Sequence, residues 1–169
     1  MAIVTLKEAL KKAEEGGYGV GMFNVLNLEM IQSVILAAEE NSSPVIMSLP
    51  EVDWWYVDTE LVIEAMVEKA RSSSIPVVLH YDHGHNIKFM RKLLDCGWTS
   101  LMIDESRRPL EENIEKAIIS ENEIADNASP KLSSIRRHKK ILAQSIKNKL
   151  NEIISSPSYQ KILQEPIVT

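Results

Sequence analysis

Two hydrophobic periods alternate along the first two-thirds of the chain. Ile31, Val34, Ile35 and Ala38 follow the i, i+3, i+4, i+7 spacing of one helix face. Leu61, Val62, Ala65 and Met66 predict a second apolar helix face, and Met90, Leu93 and Leu94 a third. Between them lie short apolar runs: Val20-Gly21-Met22-Phe23-Asn24, Pro44 to Leu49, Ile75 to Tyr81 and Ser100 to Asp104. Such runs, bounded by polar and turn residues, read as buried strands. Boundary signals agree. Thr5 with Glu8 forms a capping box, Asn27, Asp58 or Thr59, and Asn86 are helix caps, and Gly16-Gly17 and Gly97 are helix stops. A further helix starts at about Pro109.

Strands apolar on both faces, each followed by a helix, predict an α/β fold with a parallel sheet. The repeat of about 25 to 30 residues is that of a (β/α)8 TIM barrel. Four such units are legible, so the expectation is a half-barrel, truncated relative to a closed one.

From about residue 118 the pattern changes. Ser129-Pro130 is a helix start, and Leu132, Ile135, Leu142, Ile146, Leu150 and Ile153 form one stripe with Lys and Arg between. This predicts a long amphipathic helix over about 130–155 and, after Ser156-Pro157, a short one over about 157–164. Charge divides at the same place: residues 1–117 carry a net −8 and residues 118–169 a net +3. All six glycines and all three tryptophans lie in the first part. Two domains of different character are expected, 1–117 and 118–169. A basic amphipathic helix more often packs on a helix than on nucleic acid, so no nucleic-acid partner is assigned.

Composition adds bounds. No run approaches the twenty or so apolar residues that span a bilayer, and the N-terminus has no basic segment leading into an apolar one. A lone cysteine, Cys96, forms no internal disulfide and suits a reducing, cytoplasmic compartment.

The densest chemistry is His80-Tyr81-Asp82-His83-Gly84-His85, at the end of the third strand, where barrel enzymes build their sites. Neighbours in a strand face opposite ways, so Asp82 and His83 share a site only if the strand ends there, with Gly84 free to turn. From the residues alone two readings stand: a metal ligand beside a proton-transferring carboxylate, or a capped strand end with satisfied polar groups. His83-Gly84-His85 as a local chelate is a third.

These segments resemble a known family. Gly21-Met22-Phe23-Asn24, Ser43-Pro44-Val45-Ile46, Pro76 through Gly84, Gly97-Trp98-Thr99-Ser100-Leu101-Met102-Ile103-Asp104 and Pro109-Leu110-Glu111-Glu112-Asn113 are similar to successive motifs of the class II, zinc-dependent fructose- or tagatose-bisphosphate aldolases. The resemblance implies a (β/α)8 barrel and reversible cleavage of a ketose bisphosphate, with dihydroxyacetone phosphate bound to Zn2+ as an enediolate. It matches Asp82 to the proton-transferring residue, His83 to a zinc ligand, Asp104 to a carboxylate at a second metal position and Asn24 to a substrate-side residue. His80 matches a family position and is given a structural role. The sequence departs from the family at Pro50-Glu51-Val52 for Ser-Glu-Gly, at His85 and Asn86, at Glu105 and at Arg107-Arg108, around the expected mouth of the site, so the preference among ketose bisphosphates is not carried over. The other two zinc histidines belong to later strands, and His138 lies outside the motifs. One histidine of three does not hold a catalytic zinc, so the expectation is a family member with little or no activity as this chain.

Ile124 to Arg137 and Ser156 to Thr169 resemble an internal helical stretch of the bacterial MutS-like endonuclease family, without its ATPase or nuclease motifs. The expected join is near Ala117-Ile118. The alternative is a non-catalytic chimeric or interaction protein that uses its basic helix. Self-association through the open half-barrel is the remaining expectation, because unpaired strand edges recruit other strands.

Overall fold

The computed structural model describes residues 2–126 and, beyond them, only Ser155 and Pro157. The helices expected over about 130–155 and 157–164, and His138, lie outside the described residues.

Helix α1 (Leu6–Gly16) is followed by strand β1 (Gly21–Asn24), α2 (Leu28–Glu40), β2 (Val45–Pro50), a 3₁₀ segment (Glu51–Tyr56), α3 (Thr59–Ser72), β3 (Val77–Gly84), α4 (Ile87–Cys96), β4 (Ser100–Ile103) and α5 (Leu110–Asp126). The strands pair in parallel in the order β1-β2-β3-β4. The chain therefore folds as four of the βα units of a (β/α)8 barrel, as the spacing predicts. A first compact unit runs from Met1 to Pro109. The helix α5 opens the next and passes through Ala117-Ile118 unbroken.

Caps form where the sequence places them. The Thr5 hydroxyl accepts from the Glu8 amide while Glu8 accepts from the Thr5 amide. Asn27, Asp58 and Asn86 cap α2, α3 and α4 through their side-chain oxygens. Gly17 and Gly97 take the left-handed conformation at the ends of α1 and α4.

The two faces of the sheet are covered differently. Ile46 and Val78 are register partners and pack with Ala9 of α1, with Val4, Leu6 and Val20 around them. Residues of opposite parity, Met47, Leu49, Leu79 and Tyr81, are fully buried, and α2 contacts β2 while α3 and α4 contact β3. Two residues further along each strand from the Ile46–Val78 row stands a polar row, Asn24, Ser48, His80 and Ser100, in register across all four strands. Alternation in a strand places this row on the same face as Ile46 and Val78, nearer the C-terminal ends.

Two expectations fail locally. The strand β1 is exposed along its whole length, with Met22 and Phe23 about half accessible, because among the described residues it has a partner on one side only. In α3 the buried face is Val62, Ile63, Met66, Val67 and Ala70, and Leu61 points outward. The helix is rotated relative to the face chosen from sequence, since the run Leu61-Val62-Ile63 fits either face. Among the described residues, no helix is long and apolar enough to cross a membrane.

Candidate active site

The site grows from an irregularity at the end of β3. His80 pairs with Ser100 and Tyr81 with Leu101, but the next aligned pair is Gly84 with Ile103, so β3 carries one extra residue there. Such a bulge re-aims side chains locally. It is made by His83, which holds φ at 51°, the left-handed region that non-glycine residues rarely occupy. The structure thus corrects the role expected of Gly84. Strand β3 continues through it, and the turn in the backbone is made at His83. Gly84 is needed for space instead, because an added Cβ would fall 2.3 Å from Tyr81 Cε1 and 2.5 Å from Met90 Cε.

The bulge brings neighbours together that a regular strand would hold apart. Asp82, almost fully buried, has Oδ2 3.9 Å from His83 Nε2 and Oδ1 3.6 Å from His80 Nε2. His83 Nδ1 meets Asp104 Oδ2 at 2.5 Å, and Asp104 Oδ1 accepts from the Ser106 amide at 2.9 Å. The Asp104 amide in turn donates to the Gly84 carbonyl, fixing the end of β4 against the bulge. His80 is buried, with Nδ1 paired to the Ser100 hydroxyl at 2.7 Å.

Electrostatics follow from these contacts. The hydrogen bond to Asp104, aided by the charge of Asp82, raises the His83 pKa. The bond from His83, with those from Ser106, holds the Asp104 carboxyl well below the usual carboxylate range. His80 moves the other way: burial lowers its pKa, and the nearby Asp82 only partly offsets this. Burial thus favours the neutral His80 imidazole, whose Nδ1 is held by the Ser100 hydroxyl.

Of the residues singled out from sequence, Asp82, His83 and Asp104 meet in one cluster. Asn24 does not join it. It sits at the end of β1, exposed, two strands from His80 in the same register row, a separation of about 10 Å at ordinary strand spacing. One residue of the site was passed over. Glu51, the first residue after β2, places Oε2 where it accepts from the Tyr81 hydroxyl at 2.7 Å and from the His85 and Asn86 amides. Burial and then Glu51 push the Tyr81 pKa up, keeping that hydroxyl a donor. Trp54, from the same 3₁₀ segment, packs on Phe89 and Tyr81 with ring centroids 4.0 and 5.4 Å apart. In the sequence Glu51 stands only within Pro50-Glu51-Val52, where the family has Ser-Glu-Gly, and nothing local points to its partners Tyr81, His85 and Asn86.

The donor set fits zinc at one position. With Nδ1 engaged by a carboxylate, Nε2 is the His83 ring atom left for a metal, 3.9 Å from Asp82 Oδ2 on a half-exposed ring, and a histidine with an orienting acid is the usual arrangement of a zinc ligand. A complete site is another matter: among the described residues no group of three or more His, Cys, Asp or Glu is placed to hold a metal.

Fold and cluster together define a class: a parallel βα-barrel protein with a carboxylate and an oriented histidine at the C-terminal end of its third strand. Comparison with known proteins specifies it. The sequence model of the family described as class-II fructose-bisphosphate aldolase matches residues 4–122. The chain is 42% identical over 119 residues to 6-phospho-5-dehydro-2-deoxy-D-gluconate aldolase of Halalkalibacterium halodurans, covering 68% of this chain and 41% of that protein. It is 40% identical over 117 residues to the probable fructose-bisphosphate aldolase of Bacillus subtilis, with the same coverage. Among solved structures, the YdjI aldolase from Escherichia coli K12 superposes with a TM-score of 0.63 at 34% identity, over 67% of this chain and 44% of that one. The chain belongs to the class II fructose-bisphosphate aldolase family. It spans about 41% of the length of the curated relatives it matches.

Proposed function

We propose that residues 4–122 carry the proton-transfer corner of a class II aldolase site acting on a ketose bisphosphate. The observation that carries this reading is the buried Asp82 carboxylate at the end of β3, beside a His83 ring oriented by Asp104. In aldol cleavage, Asp82 takes the proton of the hydroxyl at the aldol oxygen as the adjacent carbon–carbon bond breaks. In the reverse direction it returns that proton. A Zn2+ ion bound there would supply Lewis-acid stabilisation of the negative charge that carbon–carbon cleavage leaves on the ketose fragment. His83 would be one ligand of that ion, and Asp104 its orienting acid. Asp104, whose oxygens meet the His83 ring and the Ser106 amide, would also be the carboxylate at a second metal position. Asn24 would contribute on the substrate side. A phosphorylated sugar as substrate is supported by the relatives, a 6-phospho-5-dehydro-2-deoxy-D-gluconate aldolase and a probable fructose-bisphosphate aldolase.

The chain alone is proposed to turn over little or no substrate. A catalytic zinc needs three protein ligands, and the sequence resemblance matches one histidine, His83, to that role. A cytoplasmic setting and a non-enzymatic character for 118–169 complete the reading, along with the join near Ala117-Ile118 and the MutS-like resemblance of that segment. The test is cleavage of fructose 1,6-bisphosphate by the purified chain with added zinc. Turnover at background is expected. Clear turnover that disappears in Asp82→Ala would overturn the inactivity while upholding the site.

The edge that β1 leaves unpaired among the described residues favours a second reading, self-association through the open half-barrel, since such an edge is a template for another strand. Light scattering of a well-behaved monomer across the micromolar range would remove it.

A further inference from the structure

We infer that Glu51 is a positioning residue for Asp82 and His83, holding the turn after β3 in the shape that presents both side chains. The inference rests on the aldolase reading only for the significance of that pair. Its test reads geometry and not turnover, so the two fail separately.

Glu51 follows Pro50, the register partner of Asp82, so its backbone is fixed by β2 directly alongside the site. A single oxygen, Oε2, accepts three hydrogen bonds: from the Tyr81 hydroxyl at 2.7 Å, the His85 amide at 2.5 Å and the Asn86 amide at 3.2 Å. These donors stand on both sides of Asp82-His83-Gly84, the three residues that contain the bulge and the left-handed His83. A non-glycine residue keeps such a backbone only where its surroundings over-determine it. On the β4 side the determinant is the Asp104 amide on the Gly84 carbonyl. On the β2 side it is Glu51. His85 and Asn86 are exposed residues whose amides would otherwise face water. Trp54, from the 3₁₀ segment that carries Glu51, packs its ring against Tyr81 of β3 and Phe89 of α4, which ties that segment to both elements.

A bland alternative is that Glu51 merely favours the N-terminus of α4, as an anion does there. The two differ in what they do to His83. If Glu51 only supports α4, its removal leaves the His83–Asp104 contact intact. If it positions the turn, that contact goes.

The experiment uses the full chain with ¹⁵N-labelled histidine. Glu51→Ala is expected to lose the downfield Nδ1 proton resonance of His83 in its bond with Asp104. Glu51→Gln, whose amide oxygen still accepts, is expected to retain it. A resonance unchanged in Glu51→Ala would overturn the inference. A second measurement needs no substitution, and so does not depend on the variants folding. In the unaltered chain the His85 and Asn86 amides should exchange with solvent about a hundredfold more slowly than in an unstructured peptide. Exchange of both at the unprotected rate would equally rule Glu51 out.

Discussion

The pairs β1–β2 and β3–β4 are built from the same kind of sequence, yet only one makes a site. Between β1 and β2 the register runs unbroken from Gly21–Val45 to Asn24–Ser48, and the row ends in a side chain that meets nothing of the cluster. Between β3 and β4 one extra residue is taken up between Tyr81 and Gly84, and the bulge gathers Asp82, His83 and Asp104. A regular parallel ladder spreads polar residues along a row. A defect in the ladder concentrates them. The chemistry of this corner therefore depends on a strained backbone supported from both neighbouring strands.

That contrast is broken most severely at its glycines. Gly84→Ala forces a methyl group against the buried Tyr81 ring and the buried Met90 and should cost about 3 kcal/mol, the upper part of the usual overpacking range. Gly21→Ala meets only the half-exposed Phe23 ring, which can swing aside, and should change stability by less than about 0.5 kcal/mol. Urea denaturation of both variants measures the difference, and equal costs would mean that the bulge is no tighter than the edge.

The polar row offers a smaller test. Ser48 and Ser100 flank His80 in register, but the Ser100 hydroxyl bonds the His80 ring, whereas the buried Ser48 hydroxyl has no partner among the described residues. Ser100→Ala should cost about 1–2 kcal/mol and Ser48→Ala close to nothing, because an unsatisfied hydroxyl contributes no bond to lose. Thermal or chemical midpoints decide it, and the reverse order would contradict the assigned contacts.

The smallest effect is in pH dependence, since the His83 ring is half exposed. Its raised pKa gives a contribution present below the ordinary histidine value and lost as pH rises through the folded value. The lowered pKa of Asp104 gives one present above the ordinary carboxylate value and lost as pH falls through the folded value. Both describe one contact, counted once. The stability gap between the unaltered chain and Asp104→Asn should thus be widest between about pH 3.9 and 6.5, the ordinary values of the two groups, and narrow on either side. A gap that does not vary with pH would remove the pair as a charged contact.

Much of the fold was legible because local signals agreed with one another. Thr5 with Glu8, Asn27, Asp58, Asn86 and Gly97 each mark a boundary with a physical reason, and each boundary forms. What was not legible depends on neighbours distant in sequence. The exposure of Met22 and Phe23 follows from β1 being an edge, which a run of apolar letters does not record. Leu61 was assigned inward because its run fits two helix faces, and only packing chooses between them. Asp82, His83 and Asp104 were read from the resemblance to the aldolases, but their geometry was read wrongly in one respect: freedom was assigned to Gly84, and His83 makes the turn. Glu51 reads from sequence only as part of the Pro50-Glu51-Val52 departure, because its partners His85 and Asn86 lie 34 and 35 residues further on.

The central claim is that this chain, by itself, assembles the Asp82–His83–Asp104 corner around a bulged β3. The most direct measurement is the ¹⁵N and ¹H spectrum of the His83 ring in the unaltered chain and in Asp104→Ala. The account predicts a protonated Nδ1 with a downfield, slowly exchanging proton that vanishes in the variant. A His83 ring with ordinary, freely exchanging signals, identical in the two proteins, would show that the corner does not form.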